Sequence, residues 1–277
     1  MTLTFEERLM RLAETDLNIE RIKTIEKAFG NDNKNPLAVP GRALVGEGVL
    51  IKECRKKPKP RYFFLFNDIL VYGTIVIQKK KYISQHIIPL NDVQIKSVND
   101  TDNPKLRNGW LIMSPKKTFC VFATTSKEKL EWMNHISNCI EKLSNNKRKG
   151  FDQIKNIDIA PKWIPDKEAD CCMRCNEVKF TMVNRRHHCR NCGYVICGDC
   201  SKNRFLLQSQ SDEPLRVCYI CYDTLTNNGS SNQRRITKTE NNFNSTDSSD
   251  ESEGEEQYHI PNPNDTKFYS ISSNTRI

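Results

Sequence analysis

The chain has 277 residues and a formal net charge of +9, with 37% hydrophobic and 28% charged residues. Its length predicts one large or two modest domains, and its basic charge favours anionic partners. No apolar run approaches the ~20 residues of a membrane-spanning helix, which argues against such a span. The charged N-terminal residues lack the apolar core of a signal peptide. We therefore expect a cytosolic or nuclear protein whose 12 cysteines stay reduced and can bind metal.

The first segment, residues 1–35, has the pattern of an amphipathic helix. Apolar residues recur among acidic and basic ones, at Phe5, Leu9, Leu12, Leu17, Ile22 and Ile25. An apolar stripe of this kind needs a surface to cover it, so we expect the segment to pack on the following domain or on a partner. A homodimer formed through this segment is a further hypothesis.

Residues 36–145 have the pattern of a small β-sandwich or barrel closed by a helix. Short strand-like runs alternate with turns, at Arg61–Phe66, Ile69–Gly73, Tyr82–Ile88, Gly109–Met113 and Thr118–Thr125. Asn67-Asp68 connects the first two runs as a hairpin. The period then changes, because Thr125 and Glu128 predict a capping box. Apolar residues follow at helical spacing, at Trp132, Ile136, Ile140 and Leu143.

This order of strands and a final helix resembles a pleckstrin-homology (PH) domain. In that family the helix carries a tryptophan, here Trp132, whose expected role is to pack on the open sheet. The first strand leads into a basic loop, "KECRKKPKPR". Within the loop, Lys52, Lys59 and Arg61 resemble the pattern of PH domains that bind phosphoinositides. The resemblance implies a lipid pocket formed by these three residues, and the alternative is a solvated basic loop.

Residues 161–225 contain nine cysteines, and eight of them are arranged in four Cys-x-x-Cys pairs. The pairs are Cys172/Cys175, Cys189/Cys192, Cys197/Cys200 and Cys218/Cys221. Each pair can point two sulfurs at one ion, and tetrahedral zinc takes four ligands, so the pattern predicts two closed structural zinc sites. A catalytic zinc keeps an open position, which argues against an enzyme. The spacing allows sequential or interleaved pairing, and Cys171 is a spare.

Three further motifs are threaded through these pairs. They are "WIPD" at 163–166, "RRHHCR" at 185–190 and "RVC" at 216–218. Together with the four pairs, they resemble a FYVE zinc finger. The resemblance implies interleaved pairing, with one zinc on Cys172, Cys175, Cys197 and Cys200 and the other on Cys189, Cys192, Cys218 and Cys221. It also implies binding of phosphatidylinositol 3-phosphate in membranes.

The side chains of these motifs suit a phosphorylated inositol headgroup. Arginines bind phosphate oxygens bidentately, an aspartate accepts hydrogen bonds from hydroxyls, and protonated histidines donate. The predicted headgroup residues are Asp166, Arg185, Arg186, His187, His188, Arg190 and Arg216. Met182 and Val183 stand at the position of the family's membrane-inserting turret, where apolar tips enter the bilayer beside cations. The alternative is that this pair packs inward on a small core.

A PH domain joined by residues 146–160 to a FYVE finger resembles the phafin family, and the predicted fold is multidomain α+β. The resemblance implies a non-enzymatic peripheral adaptor with two zinc ions. Its expected partners are phosphatidylinositol 3-phosphate membranes and, through the PH domain, other phosphoinositides. It also implies residence in the cytoplasm and on early endosomes, lysosomes or autophagosomes. The implied roles are endosome maturation, endosome-to-lysosome trafficking and autophagy.

Two other classes of zinc protein are alternatives to a FYVE finger. A RING-type ubiquitin ligase usually has a histidine among its eight ligands, whereas all eight positions here are cysteine. A zinc-knuckle nucleic-acid binder would use a recognition helix or exposed aromatic pairs, and the sequence has no pattern for either. We therefore expect no nucleic-acid partner.

Residues 226–277 are rich in Asn, Ser and Thr, a composition typical of a disordered tail. Within this tail, the stretch from Asp247 to Glu256 contains six acidic residues in ten. One hypothesis is that the stretch folds back on the basic PH loop and competes with membrane. The other is that it only makes the chain more soluble.

Overall fold

The computed structural model describes residues 3–30, 36–100, 106–148, 158–228 and 266–269. The helices are α1 (Phe5–Ala13), α2 (Asp16–Phe29), α3 (Ser126–Arg148) and α4 (Tyr219–Asn228). The first seven strands are β1 (Leu44–Lys52), β2 (Lys59–Phe66), β3 (Ile69–Ile77), β4 (Lys81–Pro89), β5 (Gln94–Ser97), β6 (Gly109–Met113) and β7 (Thr118–Phe122). The later strands are β8 (His187–His188), β9 (Val195–Ile196), β10 (Arg204–Phe205), β11 (Leu215–Arg216) and β12 (Lys267–Phe268). No helix in these ranges is both long and apolar enough to cross a membrane.

The first seven strands form one antiparallel sheet in the order β4-β3-β2-β1-β7-β6-β5. Helix α3 closes this sheet, and Trp132 on it is completely buried in the core. The helix begins as predicted, because the backbone N–H of Glu128 donates to the Thr125 hydroxyl at 3.1 Å. The Glu128 carboxylate accepts from the N–H of Thr124, at 2.9 Å. The α+β fold with a PH-type sheet and a C-terminal helix is therefore confirmed.

The N-terminal helices pack on this sheet, which is one of the two arrangements that the sequence allowed. Strand β2 is buried on both faces because its alternate side chains enter two different clusters. Phe63 faces the cluster that includes Leu9 of α1, and Phe64 faces the cluster that includes Ile22 of α2. The two helices thus cover apolar surface of the sheet that would otherwise meet water.

The C-terminal segment 266–269 differs from the sequence expectation, which placed it in a disordered tail. Strand β12 pairs antiparallel with β1, and Phe268 lies opposite Gly46. The pairing is possible because β7 occupies only the end of β1, at Ile51 and Lys52, so the first half of that edge is available. The composition of a long polar tail does not reveal four residues that pair with a strand more than 200 positions away. At its other end the predicted tail begins within α4, which extends to Asn228. The rest of the tail, including the predicted acidic stretch, lies outside the described residues.

The cysteine-rich unit is attached directly to the PH sheet. The Ala160 N–H donates to the Ser114 carbonyl at 3.1 Å, and the Thr118 hydroxyl donates to the Ala160 carbonyl at 2.5 Å. The Lys162 ammonium lies 2.6 Å from the Glu53 carboxylate. The predicted linker, 146–160, therefore begins within α3, which extends to Arg148, and ends in a segment bonded to the sheet.

Candidate metal centres and headgroup site

The structure brings the eight cysteines together as two groups of four. One group is Cys172, Cys175, Cys197 and Cys200, and the other is Cys189, Cys192, Cys218 and Cys221. Within each group the sulfurs lie within 4.8 Å of one another. A zinc ion with sulfurs at about 2.3 Å in a tetrahedron separates them by about 3.8 Å, so both groups fit zinc after a small contraction. This grouping is the interleaved one, which the spacing alone left open.

Backbone amides surround the sulfurs and favour their thiolate form. The Cys197 N–H donates to the Cys172 sulfur at 3.3 Å, and the Cys218 N–H donates to the Cys189 sulfur at 3.2 Å. A hydrogen bond from Cys192, together with these amides, lowers the pKa of the Cys189 thiol. The hydrogen bond with Cys189 raises the pKa of Cys192, and burial raises the pKa of Cys221. Zinc binds the thiolate, so within the second group the donors favour the metal-binding form of Cys189 in particular.

Sequence reasoning missed Arg174, which holds two sulfurs of the second group. Its Nε donates to the Cys218 sulfur and its Nη2 donates to the Cys192 sulfur, each at 3.1 Å. The guanidinium also stacks over the ring of Tyr194, 4.5 Å from its centroid. A zinc with four thiolates has a net charge of −2, so this cation stabilises the loaded site. In the sequence, the only feature that could have indicated this role of Arg174 is its position between Cys172 and Cys175.

The "RRHHCR" motif forms the short strand β8, which pairs with β9 through His187–Ile196 and His188–Val195. His188 is buried, and its Nε2 lies 2.8 Å from the Ile164 carbonyl. Its ring stacks on Trp163 at 4.8 Å between centroids. Burial lowers the pKa of His188, against the opposing effects of the Ile164 hydrogen bond and the Asp166 charge. The stacking of His188 on Trp163 joins the "WIPD" and "RRHHCR" motifs, so Trp163 has a structural role.

The arginines of the motifs differ in exposure. Arg185 is exposed, whereas Arg190 is buried with its guanidinium 4.1 Å from the centroid of the Trp163 ring. Arg186 donates to the Ala169 carbonyl at 3.2 Å. Arg216 donates to the Ser201 carbonyl at 3.0 Å. The structure therefore gathers these side chains around β8 and β11, and three of the four guanidinium groups are already oriented by protein contacts.

Asp166 and His187 complete the surroundings of the predicted headgroup site. The Asp166 carboxylate lies 3.8 Å from the His188 Nε2 and 3.4 Å from the Arg55 Nε. Burial lowers the pKa of His187, and the charges of Arg216 and Arg55 lower it further. Arg55 belongs to the PH loop, and the sequence analysis did not place it at this site.

Met182 and Val183 are the most exposed large apolar side chains among the described residues, at 95% and 89%. Their loop is held by the Thr181 hydroxyl, which accepts from the N–H groups of Val183 and Asn184. The alternative in which they pack inward on a core is therefore wrong. The exposed pair lies just before Arg185 and Arg186, the two arginines that precede β8.

The predicted PH pocket is not an open basic site in this structure. Lys52 is 2% exposed and Arg61 is 5% exposed, whereas Lys59 is partly exposed. The Lys52 ammonium lies 4.9 Å from the centroid of the Phe119 ring, and Arg61 donates to the Pro60 carbonyl at 2.9 Å. Two of the three predicted cations therefore point into the packed end of the sheet, which the sequence pattern could not show.

Comparisons with known proteins agree with this division of the chain. The PH domain model matches residues 44–141, and the FYVE zinc finger model matches residues 162–227. Pleckstrin homology domain-containing family F member 2 from Homo sapiens is 57% identical over 78% of this chain and 84% of its own length. Member 1 from Homo sapiens is 50% identical over 77% of this chain and 74% of its own length. A Caenorhabditis elegans protein, ZK632.12, is 46% identical over 88% of this chain and 90% of its own length.

Proposed function

Because the chain belongs to family F of the pleckstrin homology domain-containing proteins, the phafin family, we propose that it binds phosphatidylinositol 3-phosphate on endosomal membranes through its FYVE finger. Its two modules bind phosphoinositides and are not enzymes, and the finger binds two zinc ions. The match of the cysteine-rich segment to a FYVE finger leaves the ubiquitin-ligase and nucleic-acid alternatives without support.

The observation that supports this proposal most directly is the cluster of motif arginines beside an exposed apolar loop. Arg190 and Arg216 lie on adjoining backbone, since the Arg190 N–H donates to the Arg216 carbonyl at 3.0 Å. Guanidinium groups held by other contacts lose little further entropy when they bind phosphate oxygens. Met182 and Val183 would enter the bilayer while the arginines meet the headgroup. The two zinc ions would hold the loops that present these groups.

The binding step needs no chemistry beyond ionic hydrogen bonds. The arginines would bind the 3-phosphate, which carries nearly two negative charges. Asp166 would accept hydrogen bonds from inositol hydroxyls. His188, fixed by Ile164 and Trp163, would present its ring edge to the headgroup. A second phosphoinositide contact would come from the PH domain, and homodimerisation through the N-terminal helices remains a hypothesis.

The test is binding of the zinc-loaded full chain to vesicles with and without phosphatidylinositol 3-phosphate. Arg185→Ala should weaken this binding roughly tenfold, because one charge-assisted contact is lost. Arg107→Ala is the matched control, since Arg107 is an exposed arginine of the PH domain between β5 and β6. Equal binding to vesicles without the 3-phosphate would reject the proposed lipid specificity.

The cellular proposal is that the protein acts on endosomes in their maturation, in delivery to lysosomes and in autophagy. Arginine-dependent recruitment to early endosomes would support it. A tagged chain should leave endosomes when phosphatidylinositol 3-phosphate is depleted, and Arg185→Ala should have the same effect. Retention of the wild-type chain after depletion would contradict this part of the proposal.

A further inference from the structure

The loop between β1 and β2 of the PH domain contacts the "WIPD" motif of the finger. The Asp166 N–H donates to the Arg55 carbonyl at 3.0 Å, and the Arg55 Nε lies 3.4 Å from the Asp166 carboxylate. The two side chains are 35% and 16% exposed. The Arg55 Nε and the Asp166 Oδ1 are themselves buried, whereas another part of the Arg55 side chain is exposed, where a ligand from solvent or from a membrane can reach it.

A second contact holds this loop against the finger. Lys162 and Glu53 form an ion pair at 2.6 Å, two residues before Arg55 in the loop. Further along the interface, Ala160 is bonded to Ser114 and Thr118 of the sheet. Because the loop is fixed at Glu53 and at the Arg55 carbonyl, the guanidinium of Arg55 is already placed at the finger and does not have to be ordered by the ligand.

Arg55 faces the same groups that surround the finger's headgroup site. Its partner Asp166 lies 3.8 Å from His188. Arg55 therefore contacts the same carboxylate that lies beside His188. By contrast, Lys52 and Arg61 of the PH domain are buried.

We propose that Arg55 belongs to the finger's headgroup site, so that the PH loop and the FYVE finger bind one phosphorylated inositol between them. This inference rests on the proposed function and assigns the PH domain a specific part in it. Arg55 reduces the repulsion between the Asp166 carboxylate and a bound phosphate, and its guanidinium charge attracts the phosphate. The PH domain thus contributes to recognition of the finger's ligand through Arg55.

The test is calorimetric titration of the zinc-loaded full chain with soluble inositol 1,3-bisphosphate, which excludes effects of membrane insertion. Arg55→Ala should raise the Kd roughly tenfold, the size expected for one lost charge-assisted contact. Arg55→Lys should lie between this variant and wild type, because it keeps the charge but loses the planar fork. Lys57→Ala changes an exposed cation of the same loop and should stay within about twofold of wild type.

Glu53→Gln separates recognition from domain attachment. This variant weakens the ion pair with Lys162 while keeping Arg55. If Arg55 only ties the domains together, Glu53→Gln and Arg55→Ala should raise the Kd equally, and that result would overturn the proposal. An unchanged or lower Kd for Arg55→Ala would also overturn it. If the wild-type chain with both zinc ions does not bind the bisphosphate, the proposed function is rejected. The proposed contribution of Arg55 to the headgroup site is then rejected with it.

Discussion

The ring of Phe268 lies edge-on against the ring of Trp132, with 5.2 Å between their centroids and 73° between their planes. The contact joins β12 to the helix that closes the PH sheet. Phe268 also stacks on His135 at 4.3 Å, and the Tyr269 hydroxyl lies 2.5 Å from the Glu47 carboxylate. A short segment of the distant tail is therefore part of the PH domain's packing.

Removal of this ring should release the segment and destabilise the PH domain. We expect Phe268→Ala to lower the free energy of unfolding by about 1–3 kcal/mol, less than a fully buried phenylalanine because the side chain is only partly buried. The Tyr269 amide, which donates to Val45 at 2.8 Å, should lose its protection from hydrogen exchange. Lys267→Ala on the exposed side of the strand should change neither quantity appreciably, and equal effects of both variants would contradict the assigned role of Phe268.

A side chain at position 46 should have the same effect from the other strand. A Cβ built on Gly46 comes within 2.5 Å of the Phe268 ring. Gly46→Ala should therefore displace the segment, and hydrogen exchange at Tyr269 should become fast. Gly198→Ala is the control, because a Cβ there meets no atom within 4 Å. Full protection of Tyr269 in the Gly46 variant would mean that the ring can move aside without releasing the strand.

His135 should make the stability of this region depend on pH. Burial lowers the pKa of His135 below its ordinary value, and Glu131 opposes the shift. The unfolded chain therefore binds a proton more readily than the folded one, so stability falls as the pH drops below about 6.5. His135→Gln should lose less stability than wild type between pH 7.5 and pH 5.5, measured by denaturant unfolding with zinc content monitored. Identical losses would show that other groups, including the zinc ligands, control this range.

The exposed apolar pair should matter for membranes and not for the soluble headgroup. Met182→Ala with Val183→Ala should weaken vesicle binding about 10- to 100-fold, because several buried methylene-sized groups are lost on insertion. Titration with inositol 1,3-bisphosphate should be unchanged. The same loss for both ligands would mean that the pair supports the headgroup site itself.

Arg174 should tune the second zinc site without being a ligand. Arg174→Met removes both donors to Cys192 and Cys218, and loss of such a partner typically lowers metal affinity about 10- to 100-fold. Titration with a chelator should release one zinc per chain early and leave the other near its wild-type affinity. Arg185→Ala should retain both ions. Early release of both zinc ions would show that Arg174 supports the whole finger.

Much of this architecture could be read from local patterns. The four Cys-x-x-Cys pairs indicated two metal sites, because the knuckle geometry depends only on neighbouring residues. The helical spacing after Thr125 indicated α3 with Trp132 on its inner face. The exposure of Met182 and Val183 agreed with two apolar residues among cations in a short loop. In each case the residues that form the sequence pattern and the residues that form the predicted feature lie within a few positions of one another.

The grouping of the cysteines, the surroundings of Arg55 and the pairing of β12 depended on the tertiary structure. Spacing could not choose between sequential and interleaved zinc pairing, because both satisfy the same short-range geometry. Lys52, Arg55 and Arg61 occupy one basic loop, yet the fold buries two of them and directs the third at Asp166. Composition likewise could not distinguish Phe268 from the polar tail around it. These outcomes depend on contacts between residues that are far apart in the chain. A pattern of neighbouring residues does not show which distant surfaces the fold brings together.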